Sequence, residues 1–381
     1  MQNLTDRTDR YLAFLRFSLE EGRPVPASVR DIDWHDFYDF SKKQSIPGII
    51  FRGIERIDAS LRPDEALLFR WYSMVEKIRK RNIIVNHEAA AVSRLFEKAG
   101  FYTCLLKGQG NTLLYPTPSI RTSGDIDLWV YPRQLVPTQI EAAKVLTLRY
   151  VRSIYPKAAP QYHHVDCKIG TKTPVEIHFT PSFFNAPFTN RRLQRYYEEE
   201  ATRQFSHTTD LPDNAGKIQM PTNDFNRIFQ LSHIMHHFFH EGIGLRQLVD
   251  YYYLLKQDIT DEEKKREAQL LRLFGMSRFA SALMYVMQTT LGLEAQYLLA
   301  KPDERQGRYL LNEVILSGNF GKTDDRYPHH IHNKVQLFFI LTARVVRSSW
   351  AYPAESLSRP IFLLWHQWWK WNLKKKENAL S

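Results

Sequence analysis

Cysteine is nearly absent: Cys104 and Cys167 are the two in 381 residues. Both fall in expected strands, and two isolated thiols give neither a disulfide framework nor the spacing of a zinc-ligand set. They read as buried free thiols in a reducing compartment. Long apolar runs are missing too, so no membrane-spanning helix is expected. Internal repeats and low-complexity segments are absent, which sets aside solenoids and disordered tracts. The first ten residues, Met-Gln-Asn-Leu-Thr-Asp-Arg-Thr-Asp-Arg, are charged with no apolar stretch behind them. A secretory leader is therefore not expected, and the expectation is a cytoplasmic protein.

Acids are in short supply as well. Against 52 Lys and Arg stand 41 Asp and Glu, a net charge of +11, while 43% hydrophobic and 24% charged residues are ordinary for a globular chain. Part of the excess lies in Lys77-Ile-Arg-Lys-Arg81 and in Lys374, Lys375 and Lys376. Such a surface either draws polyanions (nucleotides, nucleic acid, phospholipid, acidic protein) or simply keeps a basic protein in solution.

Periodicity divides the chain into three parts. Residues 1–100 read as helices: 11–19 has an apolar face that ends before Pro24 and Pro26, 36–43 forms a second, and Pro63 opens a longer one. Residues 82–98 repeat Ile84, Val85, Ala89, Val92, Leu95 and Phe96 near helical spacing, up to Gly100. Residues 101–220 switch to strands at 101–106, 125–130, 150–155, 163–169 and 175–179, with a helix at 136–148. Residues 170–174 read as a hairpin turn. The stretch 180–221 is turn-rich and charged and marks a boundary. Residues 221–381 return to helix over 222–300 and 333–348, around a polar stretch at 301–330. The pattern predicts an α+β fold: a mixed α/β sheet with helices, flanked by N-terminal and C-terminal helical regions.

The chemistry concentrates in Leu105-Leu-Lys-Gly-Gln-Gly110 and Arg121-Thr-Ser-Gly-Asp-Ile-Asp-Leu-Trp-Val130. On a strand, residues i and i+2 share a face with Cα atoms about 6.5–7 Å apart. Asp125 and Asp127 are therefore expected to aim two carboxylates at one spot, where they repel unless a cation sits between them. Oxygen ligands of this kind suit Mg²⁺ or Mn²⁺. Asp31-Ile-Asp33 repeats the tripeptide but precedes a helical run, so Asp31 or Asp33 reads as an N-cap. Context distinguishes the second copy, with Lys107-Gly108 before it and an apolar strand after it.

These elements resemble the bacterial branch of uncharacterised nucleotidyltransferases, within the superfamily that includes DNA polymerase beta. The residues that carry the resemblance are Leu106-Lys107-Gly108, Tyr115-Pro116, Arg121 to Asp127 and Glu176-Ile177-His178. Beyond them come a His-rich helix (His233, His236, His237, His240), Gly244-Leu-Arg246 and Asp250. The resemblance implies transfer of a nucleoside monophosphate from an NTP to an unidentified acceptor, whether small molecule, protein or RNA. It implies Asp125, Asp127 and Glu176 as catalytic and metal-holding residues for Mg²⁺ or Mn²⁺. Lys107, Gly108, Arg121, His178, His237, Arg246 and Asp250 are then expected to bind substrate. Asp166 is the second choice for the third acid.

Arg121 either holds phosphate or pairs with an acid to fix its turn. Where the wider superfamily has a Gly-Ser turn, this chain has Gly108-Gln109, which leaves a nucleotide-sensing protein without turnover as an alternative. The segment 360–376 holds four of the eight tryptophans together with Lys374 to Lys376. It reads either as a terminal helix docked on the protein or as a weak membrane-surface contact of a peripheral or polysaccharide-pathway accessory protein.

Overall fold

The computed structural model describes residues 2–321, 326 and 334–380. The chain opens with helices α1 (Gln2–Leu19), α2 (Trp34–Lys43), α3 (Pro47–Arg56) and α4 (Glu65–Lys98). Strand β1 (Phe101–Leu105), a short helix α5 (Gln109–Thr112), β2 (Ile126–Pro132), α6 (Ile140–Ile154), β3 (His164–Cys167) and β4 (Val175–His178) follow. Helix α7 (Pro187–Ser206) and a hairpin of β5 (Thr208–Leu211) and β6 (Gly216–Gln219) come next. The chain ends in α8 (Asn223–His240), α9 (Leu245–Leu255), α10 (Asp261–Leu273), α11 (Ser277–Thr289), α12 (Glu304–Ser317), α13 (Lys334–Ser349) and α14 (Pro353–Leu380). This is the expected α+β class, a small mixed sheet between helical regions.

The sheet has the order β1-β2-β4-β3, with β2 and β4 parallel and the outer pairs antiparallel. Register puts Asp127, Glu176 and Asp166 abreast, and Trp129, His178 and His164 in the next rank. Alternation sends their neighbours to the opposite face. There Ile126, Leu128, Val130, Val165, Val175 and Ile177 pack with Val85, Ala89, Val92 and Phe96 of α4 and Val145, Leu148 and Val151 of α6. The face with the acids turns toward α7 and α8, where Trp129 meets Phe205 at 4.6 Å and stacks on Phe225 at 6.1 Å. A larger apolar cluster joins N-terminal helices to C-terminal ones, from Tyr11 to Tyr352.

Several boundaries differ from expectation for identifiable reasons. No Gly or Pro occurs between Glu65 and Lys98, so the two expected helical stretches there form one helix of 34 residues, capped by Asp64 through the Leu67 amide. Asp33 caps α2 by accepting from the His35 and Asp36 amides. Residues 150–155 are not a strand: α6 starts later than expected and runs on through Val151 and Ile154, stopping just before Pro156. The stretch 180–221 is not turn-rich. Leu193, Tyr196, Tyr197, Ala201, Gln204 and Phe205 form the buried stripe of α7, which its charged outer face obscures in the sequence. Helix α12 likewise occupies much of the polar stretch 301–330, of which 322–325 and 327–330 lie outside the described residues. Cys104 and Cys167 are free and buried. Among the described residues, no helix is long and apolar enough to cross a membrane.

One close approach positions the turn before β2. A Cβ placed on Gly48 of α3 would stand 2.2 Å from the carbonyl oxygen of Ile120. Substituting Gly48→Ala must push that turn outward, and urea unfolding is expected to show a loss of about 1–3 kcal/mol. An unchanged unfolding midpoint would show that α3 does not brace the turn.

Candidate active site

The site grows from the ends of β1 and β2. Past β1, the Leu106 amide donates to the Asp127 carbonyl at 3.0 Å, which keeps the chain alongside β2 as far as Lys107. Gly108 then turns with φ +66° and ψ −110°, a conformation that disfavours side chains, and a Cβ there would meet the Asp125 carbonyl at 3.0 Å. This turn sends Lys107 across the sheet. Its Nζ lies 3.1 Å from Asp127 Oδ1 and 2.8 Å from His233 Nε2.

Asp127 has no exposure. Its Oδ1 also meets His178 Nε2 at 3.0 Å, and that nitrogen stands 3.4 Å from Glu176 Oε2. Asp127 Oδ2 is buried with no hydrogen-bond partner. Burial alone would raise the pKa of Asp127, but the charge of Lys107 and the His178 hydrogen bond bring it below the ordinary carboxylate value. Glu176 follows the same logic: burial opposes ionisation, and His178 and Lys107 bring it down to about 2. Burial disfavours the His178 imidazolium, yet Asp127 and Glu176 raise its pKa to about 9. Lys107 is held above its usual range against its own burial by Asp127, Asp125 and Glu176.

Two groups of ligand atoms within 4.8 Å of one another lie here: Asp127, Glu176 and His178, and then His164, Asp166 and Glu176. Glu176 belongs to both. Carboxylates joined by an imidazole, with one buried carboxylate oxygen left over, fit a divalent cation.

The expected twin ligands separate. Strand β2 begins at Ile126, so Asp125 precedes it and falls outside both groups. It lines a narrow cleft with Lys107, Gly108, Arg121, Arg246 and Asp250. Arg121 is locked to Asp250 by two hydrogen bonds of 2.7 Å, from Nε and Nη2, and Tyr115 donates to the same carboxylate at 2.6 Å. Of its two readings, the acid-paired one describes this geometry. Arg246 holds the Thr122 carbonyl at 3.0 Å, and Asn82 of α4 donates to the carbonyls of Ser119 and Arg121. The turn between α5 and β2 is thus tied to both α4 and α9.

His178 bonds Asp127 and does not line the cleft. His237 lies behind His233, at 3.0 Å between Nε2 atoms, and His233 is the helical histidine that lines the cleft. The histidines of α8 share one face, in two close pairs, 233 with 237 and 236 with 240, joined by an edge contact between His236 and His237 at 5.5 Å. None of them joins a ligand group of three or more among the described residues. Sequence reasoning left His164 and Gln230, which also lines the cleft, off the site, and named His233 only among the histidines of its helix. The His-rich helix was the available signal for His233, and the rank shared with His178 on β3 would have found His164.

Residues 30–292 match a family model described as uncharacterised nucleotidyltransferase. The chain belongs to that family. No curated protein matches it. Among solved structures, this nucleotidyltransferase-family chain is similar to an antigenic nucleotidyltransferase-like protein from Paracoccidioides brasiliensis. That likeness is 14% identity over 50% of this chain and 88% of the other, with a TM-score of 0.29. A likeness at that score says nothing about the site.

The buried Arg121–Asp250 pair yields a stability test. Asp250→Ala leaves a guanidinium buried without its counter-charge, and urea unfolding is expected to show a loss of about 3–5 kcal/mol. The double substitution Arg121→Met/Asp250→Leu should recover most of it. Equal losses in both variants would contradict the assignment of the cost to an uncompensated charge.

Proposed function

We propose that this protein is a metal-dependent nucleotidyltransferase that moves a nucleoside monophosphate from an NTP to the hydroxyl of an acceptor. In the reaction, the acceptor oxygen forms a bond to the α-phosphorus while the bond to the bridging oxygen breaks. Pyrophosphate leaves with that electron pair, and the acceptor proton passes to water. What supports the reading most is Asp127, a fully buried carboxylate with an unpartnered oxygen, beside a cleft lined by Lys107 and Arg246.

Asp127 and Glu176 would hold the divalent cation, with Asp125 at the mouth of the cleft and His178 as neighbour. A bound cation would neutralise charge on the triphosphate oxygens. Carboxylate oxygens of this kind suit Mg²⁺ or Mn²⁺. Lys107 would contact the triphosphate from its place between Asp127 and the cleft. Gly108 leaves room for phosphate to approach the backbone. Arg121 would serve through Asp250 by fixing the turn, and Arg246 by holding Thr122. Glu176, ionised and partly exposed, would orient the acceptor hydroxyl; a carboxylate with a pKa of about 2 is a poor base.

One observation favours a second reading, nucleotide binding without turnover. Gln109 stands where the wider superfamily has a serine, and its amide donates to Asn86 of α4 at 2.6 Å instead of turning toward the cleft.

The test is pyrophosphate release from each of the four NTPs with Mg²⁺ or Mn²⁺, with cell extract as the source of acceptor. Asp127→Ala is expected to lower release by roughly 100-fold or more. Chelation with EDTA should stop release, and Asp31→Ala should leave it unchanged. Turnover that persists in Asp127→Ala would remove the proposal. NTP binding with no release would move the assignment to the second reading.

A further inference from the structure

Helix α14 has one face fixed to the protein. Phe362 stacks on Phe183 at 4.9 Å, and Phe362 and Trp369 both meet the ring of Tyr162, at 5.7 and 5.8 Å. Lys144 lies 4.7 Å from the Tyr162 ring and 5.5 Å from that of Trp369. Near the start of the helix, the Glu355 carboxylate accepts from the amides of Asn185 and Ala186. Arg359 donates to the Phe239 carbonyl. The docked reading of this segment therefore accounts for Phe362, Trp369 and the buried Leu373.

It leaves the opposite face unexplained. Leu357, Ile361, Leu364 and Trp368 follow at spacings of four, three and four residues, which makes one stripe along the helix. They are 60%, 68%, 76% and 58% exposed. Eleven helical rises across these twelve residues make the stripe about 16 Å long. An amphipathic helix that only packed on its own domain would carry polar residues here.

The charge pattern selects what covers the stripe. Between Glu355 and Glu377 the charged residues are Arg359, Lys370, Lys374, Lys375 and Lys376, with no acid among them. Large apolar side chains with tryptophan, continued by lysines, are the composition of a helix that lies in a bilayer interface. Anionic headgroups attract such a lysine run. A second copy of this chain is the poorer match, because each copy brings a net charge of +11.

We propose that the outward face of α14 rests on a membrane surface containing anionic lipid. Leu357, Ile361, Leu364 and Trp368 supply the apolar contact, and the net charge of +11 supplies the attraction to anionic headgroups. The contact lies along the surface, not across the bilayer, and it stands apart from the nucleotidyl-transfer reading.

Co-sedimentation of the full chain with vesicles tests it, using phosphatidylcholine alone and phosphatidylcholine mixed with phosphatidylglycerol. Binding is expected to the mixed vesicles only and to weaken with salt. Ile361→Ser/Leu364→Ser/Trp368→Ser and, separately, Lys374→Glu/Lys375→Glu/Lys376→Glu should each reduce partitioning roughly tenfold or more. The thermal unfolding midpoint should stay within error of the parent, because the stripe side chains are exposed. Failure of the parent to bind mixed vesicles, or unchanged binding by both variants, would overturn the proposal. So would a dimer in analytical ultracentrifugation that the stripe variant abolishes while the parent ignores vesicles; the occupant would then be a second copy.

Discussion

Asp127 is a carboxylate held at zero exposure in an inner strand of a four-stranded sheet. Moving an ion of that size out of water costs several kcal/mol after relaxation, and the cost is offset only by charges and hydrogen bonds placed around it. Much of the local architecture supplies them. The turn at Gly108 delivers Lys107, parallel pairing of β2 and β4 delivers His178 and Glu176, and α8 lays His233 against the Lys107 amine. The supply stops one atom short, at Asp127 Oδ2. Asp127 and Glu176 could hold a divalent cation there.

A second buried pair carries the scaffold. Arg121 and Asp250 join the turn before β2 to α9, and Tyr115 and Arg246 reinforce the same junction. The motifs that looked scattered in the chain, a Tyr-Pro turn, an Arg before the Asp strand and a Gly-Leu-Arg helix start, are one contact in space. This explains why Arg121 reads as structural support for the cleft. It also ties α9 to the turn, where the Asp250 carboxylate neutralises the Arg121 guanidinium.

The fold class and the residues gathered around the sheet were legible because strand alternation and local caps are short-range properties. Asp33 capping α2 follows from a few neighbouring residues, whereas Glu176 was expected from the family resemblance and the parallel pairing of β2 and β4 sets it beside Asp127. What sequence reasoning missed depends on longer-range facts. The boundary of β2 at Ile126 removes Asp125 from the strand, and no local signal separates it from Asp127. Helix α7 was hidden because charged residues interrupt its buried stripe in the sequence, and residues 150–155 were misread because Tyr and Val favour strands when a helix is not already running into them. The side chain of Gln109 could point either way until α4 supplied Asn86. The two faces of α14 could not be assigned before its docking partners, Tyr162 and Phe183, were known.

The most direct test is crystallography of the protein soaked with Mn²⁺ and a non-hydrolysable NTP analogue, using anomalous scattering to find the ion. The account predicts a manganese peak bonded to Asp127 and Glu176, with the triphosphate beside Lys107 in the cleft that Arg246 lines. A nucleotide bound elsewhere, or manganese absent from Asp127 while nucleotide fills the cleft, would contradict it.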